Sequence, residues 1–344
     1  MRQALFYSLL SISQLFFCNT ETQAQYKRLF VAHYNVENLF DTLNDPQTAD
    51  EDFLPTGSYE WTAARYEQKL RQLSQVIGDM NQGEGPDILG LCEVENAQVV
   101  ADLAKKLNKS NKKQYSYIHF DSPDGRGIDV AMIYNRKVYK VKNSRSVFVP
   151  MPGDSSRPTR DILVVSGQLP NKSQLHVLVN HWPSRRSGQD ASEIARMGAA
   201  AVAKRSVDSL HSRFKGSTVL VMGDFNDTPA DKAPLEVLGA SWPANANARL
   251  ANPFLALHAD STQGSYRYRN SWQFIDHISI SPTALENGAK VRYVAGSAAA
   301  ILQPYQLEKE GRFKGNPFRT YAGNRYLGGY SDHLPVKIEL EWRK

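Results

Sequence analysis

Short apolar runs recur along most of the chain and set the first expectation. Leu29–Tyr34, Asp87–Cys92, Ile128–Tyr134, Ile162–Leu169, Leu175–Asn180, Val219–Met222, Phe274–Ile280, Val291–Val294 and Pro335–Trp342 have strand length and turn-forming or polar boundaries. Helical spacing is rarer. Tyr66, Leu70, Leu73, Ile77 and Met80 fall at offsets 0, 4, 7, 11 and 14, one face of a helix. Two more helices are expected over Ala97–Leu107 and the Ala-rich Ala191–Ser212. Strands outnumber helices and often follow one another directly, so regular βαβ alternation is not the pattern and two packed sheets flanked by helices fit better. Two stretches read as long loops: Asp41–Ser58, with Pro46, Pro55 and Gly57, and 303–330, rich in Gly, Arg and aromatics. Long ordered loops tend to be functional, and the second runs into Ser331-Asp332-His333, which makes it a candidate substrate rim.

The first 24 residues follow a different pattern. A short positive start at Met1-Arg2, an apolar stretch from Leu5 to Cys18 and a small-residue site at Thr22-Gln23-Ala24 read as a secretory signal peptide, leaving 25–344 as the mature chain. A secreted or periplasmic location follows as an expectation. Lipid anchoring at Cys18 is the weaker reading, because bulky Leu15-Phe16-Phe17 precedes it. No later segment approaches the roughly 20 apolar residues of a membrane span. Cleavage leaves Cys92 as the only cysteine, so no internal disulfide staples the fold. With 344 residues and 41% hydrophobic content, a sizeable core is available and global disorder is excluded. The net charge of +6 is unchanged by removal of the leader and gives weak support for a polyanionic partner.

Polar groups collect at the ends of the apolar runs. Asn35 and Glu37 follow the first, Glu93 the second, His181 the fifth, and Asp224 with Asn226 the sixth; Asp276 lies within the seventh and Asp332-His333 precedes the last. In extended chain, residues two apart share a side, which aims Asp224 and Asn226 together. Acids and amides without clustered Cys or paired His favour a hard cation: Mg²⁺, or Mn²⁺ or Ca²⁺, over structural zinc. Two histidines suit proton transfer and oxyanion stabilisation, and a metal, an imidazole and a carboxylate around one pocket suit phosphate-ester hydrolysis. No Gly-x-Ser-x-Gly, GxxxxGK[ST] or His-Glu-x-x-His occurs, so serine esterases, P-loop NTPases and zincins lack support. Asn38 and Asp41 read as ordinary turn residues, His277 as structural on the opposite side of its strand, and Cys92 as a small buried hydrophobe.

Asn35-Val36-Glu37-Asn38-Leu39-Phe40-Asp41, Leu91-Cys92-Glu93-Val94, Asn180-His181-Trp182, Gly223-Asp224-Phe225-Asn226, Ile275-Asp276-His277-Ile278 and Ser331-Asp332-His333-Leu334-Pro335-Val336 occur in that order. On these blocks the chain resembles the endonuclease/exonuclease/phosphatase family, the fold of deoxyribonuclease I and exonuclease III, from about Phe30 to Leu340. The resemblance implies an α+β fold, a four-layer α/β-sandwich of two packed mixed β-sheets flanked by helices, in one domain. It makes Asn35, Glu37 and Glu93 the metal group, with Asp332 able to reach the ion. Asp224 and Asn226 would orient the attacking water and the phosphate, His333 would contact the phosphate with Asp276 holding its ring, and His181 would be the second active-site histidine. Cys92 departs from the Gln and Glu37 from the Asp found in many members. Arg126, Arg185, Arg186, Arg267 and Tyr268 lie on loops suited to phosphates and bases. The expected enzyme is a secreted, divalent-metal-dependent phosphodiesterase cutting nucleic acid, a monomeric DNA endonuclease of low sequence specificity. A relative acting on a phospholipid head group or small phosphomonoester is the alternative. Inositol phosphatases usually carry Arg two residues after the GDFN Asn, where this chain has Thr228 after Asp227, which favours a nuclease modestly.

Overall fold

The computed structural model describes residues 26–151, 158–244 and 248–343, so the leader and Cys18 lie outside the described residues. Its elements in chain order are β1 (Tyr26–Leu39), α1 (Ala63–Gly83), β2 (Ile88–Val94), α2 (Ala97–Ser110), β3 (Tyr115–His119), β4 (Asp129–Asn135), β5 (Lys140–Val147), β6 (Ile162–Gln168), β7 (Gln174–His181), α3 (Gln189–Arg213) and β8 (Thr218–Asp224). There follow β9 (Ala240–Ser241), β10 (Leu250–Ala251), α4 (Phe254–Leu257), β11 (Tyr266–Tyr268), β12 (Ser271–Gln273), β13 (Asp276–Ile280), β14 (Val291–Tyr293), β15 (Ala299–Ala300), β16 (Tyr321–Ala322), β17 (Arg325–Tyr326) and β18 (Val336–Arg343). Among the described residues no helix is long and apolar enough to cross a membrane.

Two mixed sheets form the centre. The first runs β14-β18-β1-β2-β4-β3, with β15 also on β18, and the second runs β5-β6-β7-β8-β13-β10-β9. Each has a parallel pair in its middle, β1 with β2 and β7 with β8, and antiparallel neighbours on both sides. Alternation along β1 shows why it reads as continuously apolar. Leu29 and Val31 join Val177, Met222, Ile278 and Ile338 between the sheets, while Phe30, Ala32 and Tyr34 face Leu70, Leu73, Ile77 and Leu103 of α1 and α2. On the far side Val164, Leu178 and Val221 pack against Ala199, Ala203 and Val207 of α3. The layers are therefore helices, sheet, sheet, helix, the sandwich that the motifs implied.

Three local features depart from the sequence reading. The first two strands do not stop before their acids: β1 pairs with β2 up to Asn35↔Cys92, bulges, and pairs again at Leu39↔Val94, so Glu37 and Glu93 sit on bulges inside strands. Strands β3 and β5 were not expected, because Tyr115–His119 and Lys140–Val147 are short or polar edge strands with many exposed positions. Helix α1 leaves helical geometry at Met80–Gln82, where Asn81 and Gln82 adopt positive φ of 52° and 58°. Rings fasten both long loops: Phe53 of the first stacks on Phe40 at 4.1 Å, and Tyr321 of the second lies 4.7 Å from Tyr59 and 6.0 Å from Trp61, just past the end of the first.

Candidate active site

The parallel pairs end side by side, and their last residues form one polar cluster. In β7–β8 the register sets His181 opposite Asp224, and in β8–β13 it sets Asp224 opposite Asp276. The glycine of the GDFN block permits this pairing. A Cβ at Gly223 would lie 2.2 Å from the carbonyl oxygen of Asn180, so no larger residue fits without moving the strands apart.

Asp224 is the meeting point. Its Oδ2 accepts from Asn35 Nδ2 at 3.0 Å and lies 3.6 Å from His181 Nε2 and 3.9 Å from His333 Nε2, while its Oδ1 accepts from the backbone N–H of Asn226 at 2.9 Å. Asn35 Nδ2 also donates to Glu93 Oε1 at 3.1 Å, and its Oδ1 accepts from the backbone N–H of Glu37 at 3.0 Å. The amide orientation follows from the partners, since a flip would turn the oxygen onto two carboxylates. Glu93 Oε2 accepts from the N–H of Asn38 at 3.1 Å. Glu37, Asn38, Glu93 and Asn226 all have positive φ, 51°, 57°, 62° and 50°. Non-glycine residues rarely adopt this region, and such outliers cluster at functional sites.

His333 and Asp276 form a buried dyad, with Nδ1 2.6 Å from Oδ2. The ring therefore donates Nδ1–H to the carboxylate and leaves Nε2–H for the pocket. Asp276 is held on its other side by His33, whose Nε2 is 3.3 Å from Oδ1. Burial opposes charge on all these groups, but with different outcomes. It would lower the His333 imidazolium, yet Asp276 and Asp332 raise it well above the ordinary range. Burial would raise the Asp276 carboxyl, and the two imidazoles instead depress it. His181 is lowered well below its ordinary value by burial and by Arg160 and Arg126. Burial and Asp276 push Asp224 up to about 7. One histidine is thus charged and the other neutral near neutral pH, a division suited to acid and base roles.

The metal test is chemical. Ligand atoms of Glu93, His181 and Asp224 lie within 4.8 Å of one another, and those of Asp224, Asp276 and His333 do likewise. Carboxylate oxygens with one imidazole fit a divalent cation, with Glu93 and Asp224 as its anionic side chains. The other expected ligands sit differently. Glu37 Oε1 and Asp332 Oδ2 both accept from Arg319, at 3.2 and 2.7 Å, and Asn35 presents its amide nitrogen to the cluster.

The candidate substrate side chains are also divided. Arg126 pairs with Asp124, and Arg185 bonds Asp227, Asp231 and the carbonyl of Asn226, which supports the GDFN loop from behind. Arg186 and Tyr268 are exposed, while Arg267 lies over Trp272. The β11–β12 hairpin carrying Arg267 and Tyr268 reaches the site through Tyr266, whose ring centroid is 4.9 Å from that of His333. His277 turns away to stack on Phe225 at 4.0 Å, and Cys92 is buried with its Sγ donating to the carbonyl of Asn180. Four contributors went unread. His33 looked like part of an apolar run, although its i, i+2 relation to Asn35 was a usable signal. Arg319 lay unsingled in the rim loop. Arg160, which donates to the carbonyl of Trp182 at 2.6 Å, and Lys69, buried beneath that loop, carried no local signal.

Comparison with known proteins agrees with this geometry. Residues 30–342 match the profile of the Endonuclease/Exonuclease/phosphatase family. No curated protein sequence matches. Among solved structures, the human Nocturnin catalytic domain superimposes with TM-score 0.56 at 15% identity, covering 93% of this chain and 98% of that one. A Bacteroides thetaiotaomicron endonuclease/exonuclease/phosphatase family protein gives 0.54 at 17%, covering 92% and 99%. TDP2 from C. elegans gives 0.54 at 14%, covering 92% and 75%.

Proposed function

The chain belongs to the endonuclease/exonuclease/phosphatase family of metal-dependent phosphoric ester hydrolases, and from that premise we propose that it is a Mg²⁺-dependent phosphodiesterase acting on nucleic acid, a DNA endonuclease of low sequence specificity. The observation that carries the reading is Asp224 Oδ2, which faces an amide and two imidazole Nε2 atoms of opposite charge preference in one pocket. A divalent ion held by Glu93 and Asp224 would neutralise charge on the phosphate; Mn²⁺ or Ca²⁺ are the other candidates.

The chain's own groups do the rest. Asp224, kept ionised beside a bound cation, would orient the attacking water and accept its proton, and the Asn226 N–H and the Asn35 amide hold its two oxygens in place. The His333 imidazolium, its ring fixed by Asp276, would donate Nε2–H to a phosphate ester oxygen, so that as the P–O bond breaks the leaving alkoxide departs protonated. Neutral His181 offers Nε2 on the other side of Asp224. Exposed Tyr268 and Arg186, with Arg267, supply stacking and phosphate contacts beside the pocket. The apolar leader directs this enzyme to secretion or the periplasm, where it works as a monomer. The test is to incubate the chain from residue 25 with Mg²⁺ and, separately, plasmid DNA, RNA, sphingomyelin and inositol phosphates. Nicking and linearisation of plasmid are expected, with rates that fall as salt rises by a log–log slope of roughly −0.9 per phosphate contacted. Turnover confined to lipid or inositol phosphates would overturn the nuclease reading.

A further inference from the structure

We propose that Arg319 is a preset phosphate-binding residue of this site, and that Glu37 and Asp332 are its anchors and do not ligate the metal. The inference rests on the phosphodiesterase reading above and assigns to the rim loop a direct part in it.

The hydrogen bonds carry the argument. Arg319 Nε donates to Glu37 Oε1 at 3.2 Å and its Nη2 to Asp332 Oδ2 at 2.7 Å. The second oxygen of Glu37 accepts from the backbone N–H of Thr320 at 2.6 Å, so both of its oxygens face the rim loop. Beneath them buried Lys69 donates to Thr320 Oγ1 at 2.6 Å and to the carbonyl of Tyr330 at 2.8 Å. Two carboxylates thus share the Arg319 guanidinium directly, with the Lys69 ammonium acting on them through space, and this half of the cluster has a side-chain cation of its own. The other half, Glu93 and Asp224, has no Lys or Arg partner among the described residues and retains the charge that a divalent ion answers.

A guanidinium has five N–H groups in a rigid fork. Glu37 and Asp332 take two of them, and Nη1 has no partner among the described residues. The side chain remains 43% exposed, so its unpaired edge can be reached from solvent. Its anchors belong to the segments that carry Asn35 and His333, and Asp332 Oδ1 lies 3.9 Å from His333 Nε2. Arg319 is therefore held beside the imidazole that meets the phosphate, with rotamer freedom already lost before substrate arrives. A purely structural pin is unnecessary here, because the loop is fastened by other means. Tyr330 N–H donates to the carbonyl of Phe318 at 2.6 Å and Leu327 N–H to that of Thr320 at 2.9 Å, while Tyr321 packs between Tyr59 and Trp61.

The experiment combines two titrations with one rate measurement on the mature chain and its Arg319→Ala, Arg319→Lys, Glu37→Gln, Asp332→Asn and Glu93→Gln variants. Calorimetry with Mn²⁺ alone is expected to show binding lost in Glu93→Gln and kept within about threefold in Glu37→Gln and Asp332→Asn, since of these three only Glu93 would be an anionic ligand. Inorganic phosphate titrated into the Mn²⁺-loaded protein should bind about 10²-fold more weakly to Arg319→Ala, with Arg319→Lys recovering part of the loss. On bis(4-nitrophenyl) phosphate, Arg319→Ala should raise KM and lower kcat/KM, and Arg319→Lys, which keeps a charge beside Glu37 and Asp332, should restore thermal stability more fully than KM. Mn²⁺ affinity falling as far in Glu37→Gln or Asp332→Asn as in Glu93→Gln, or phosphate affinity unchanged in Arg319→Ala, would overturn the proposal. An unmodified chain without turnover would remove the phosphodiesterase reading only, because both titrations proceed without hydrolysis and still decide the role of Arg319.

Discussion

The two parallel strand pairs that meet at the site end in different ways. The β7–β8 pair is regular to its last rung, His181↔Asp224, and its side chains emerge by simple alternation. The β1–β2 pair breaks its register between Asn35 and Leu39, and β2 breaks again against β4 between Cys92 and Val94, with Glu37, Asn38 and Glu93 in left-handed backbone. Each such residue costs roughly 1–2 kcal/mol before compensation. The compensation is visible in the N–H groups of Glu37 and Asn38, which are taken by Asn35 Oδ1 and Glu93 Oε2. The difference shows what each half is for. One histidine, His181, and two acids, Asp224 and Asp276, that meet across neighbouring strands need only the pleat to aim them, whereas Glu93 must be turned off its strand to face Asp224 from the opposite sheet.

The largest expected effect comes from breaking the junction between the halves. Chelation with EDTA should abolish hydrolysis and Mg²⁺ or Mn²⁺ should restore it, while Glu93→Gln should stay inactive at any metal concentration that restores the unmodified chain. Glu93→Gln retaining full activity in chelator would show that the bulged half holds no metal.

Next in size is the dyad that bridges the sheets, Asp276 on β13 and His333 just before β18. His333→Ala removes the group that meets the phosphate and Asp276→Asn removes the charge that holds its ring, so each should lower kcat by at least about 10². Because the pair acts through one hydrogen bond of 2.6 Å, the double variant should be little worse than the worse single. Multiplicative losses, with Asp276→Asn melting early, would reduce Asp276 to a structural residue held by His33.

How much of this was legible follows the same division. The apolar runs named all of the long central strands except the polar edge strand β5, because a strand buried on both faces is apolar throughout. His181, Asp224 and Asp276 were readable as a converging group for the same reason: regular strands carry their side chains where counting puts them. The bulged half was not readable in that way. Glu37 and Asn38 look like loop residues after a strand, and their left-handed backbone is set by hydrogen bonds to residues more than 50 positions away as well as to Asn35. The partner of Glu37 was beyond reach too, since Arg319 is 282 residues distant and no local spacing links the two.

A smaller effect concerns pH and the metal-free protein. Asp224 and Glu37 are both raised to about 7 by burial, and His333 is raised well above its usual value. A group whose folded pKa exceeds its unfolded one contributes stability that is complete below the unfolded value and lost as pH rises through the folded one. All three act in the same direction, and His181, depressed in the folded state, opposes them only below about pH 6.5, its unfolded value. The thermal midpoint without metal should therefore fall between about pH 6.5 and 8. Asp224→Asn should flatten the fall, and saturating Mn²⁺ should remove most of it, since a bound cation favours the ionised carboxylate. A midpoint that rises across this interval would mean that Asp224 is ionised throughout and that the junction carries no desolvation cost.

The smallest expected effect measures the strain itself. Asn38 has φ of 57°, its backbone N–H serves Glu93, and its side chain makes no hydrogen bond among the described residues. Glycine at this position keeps the N–H and relieves the left-handed penalty, while alanine keeps the penalty and loses what asparagine gains from its local polarity. Asn38→Gly should therefore be more stable than Asn38→Ala by about 1 kcal/mol. The control belongs in the regular half. Gln174 begins β7, paired with Gln168 of β6, and is half-buried, and there alanine should be the more stable of the two, because glycine in an extended strand costs chain entropy and packing. Denaturant melts of the four variants compare the halves directly. If glycine were also disfavoured at position 38, the β1 bulge would hold no strain, and the contrast between a distorted acid-bearing half and a regular histidine-bearing half would be one of shape without an energetic cost.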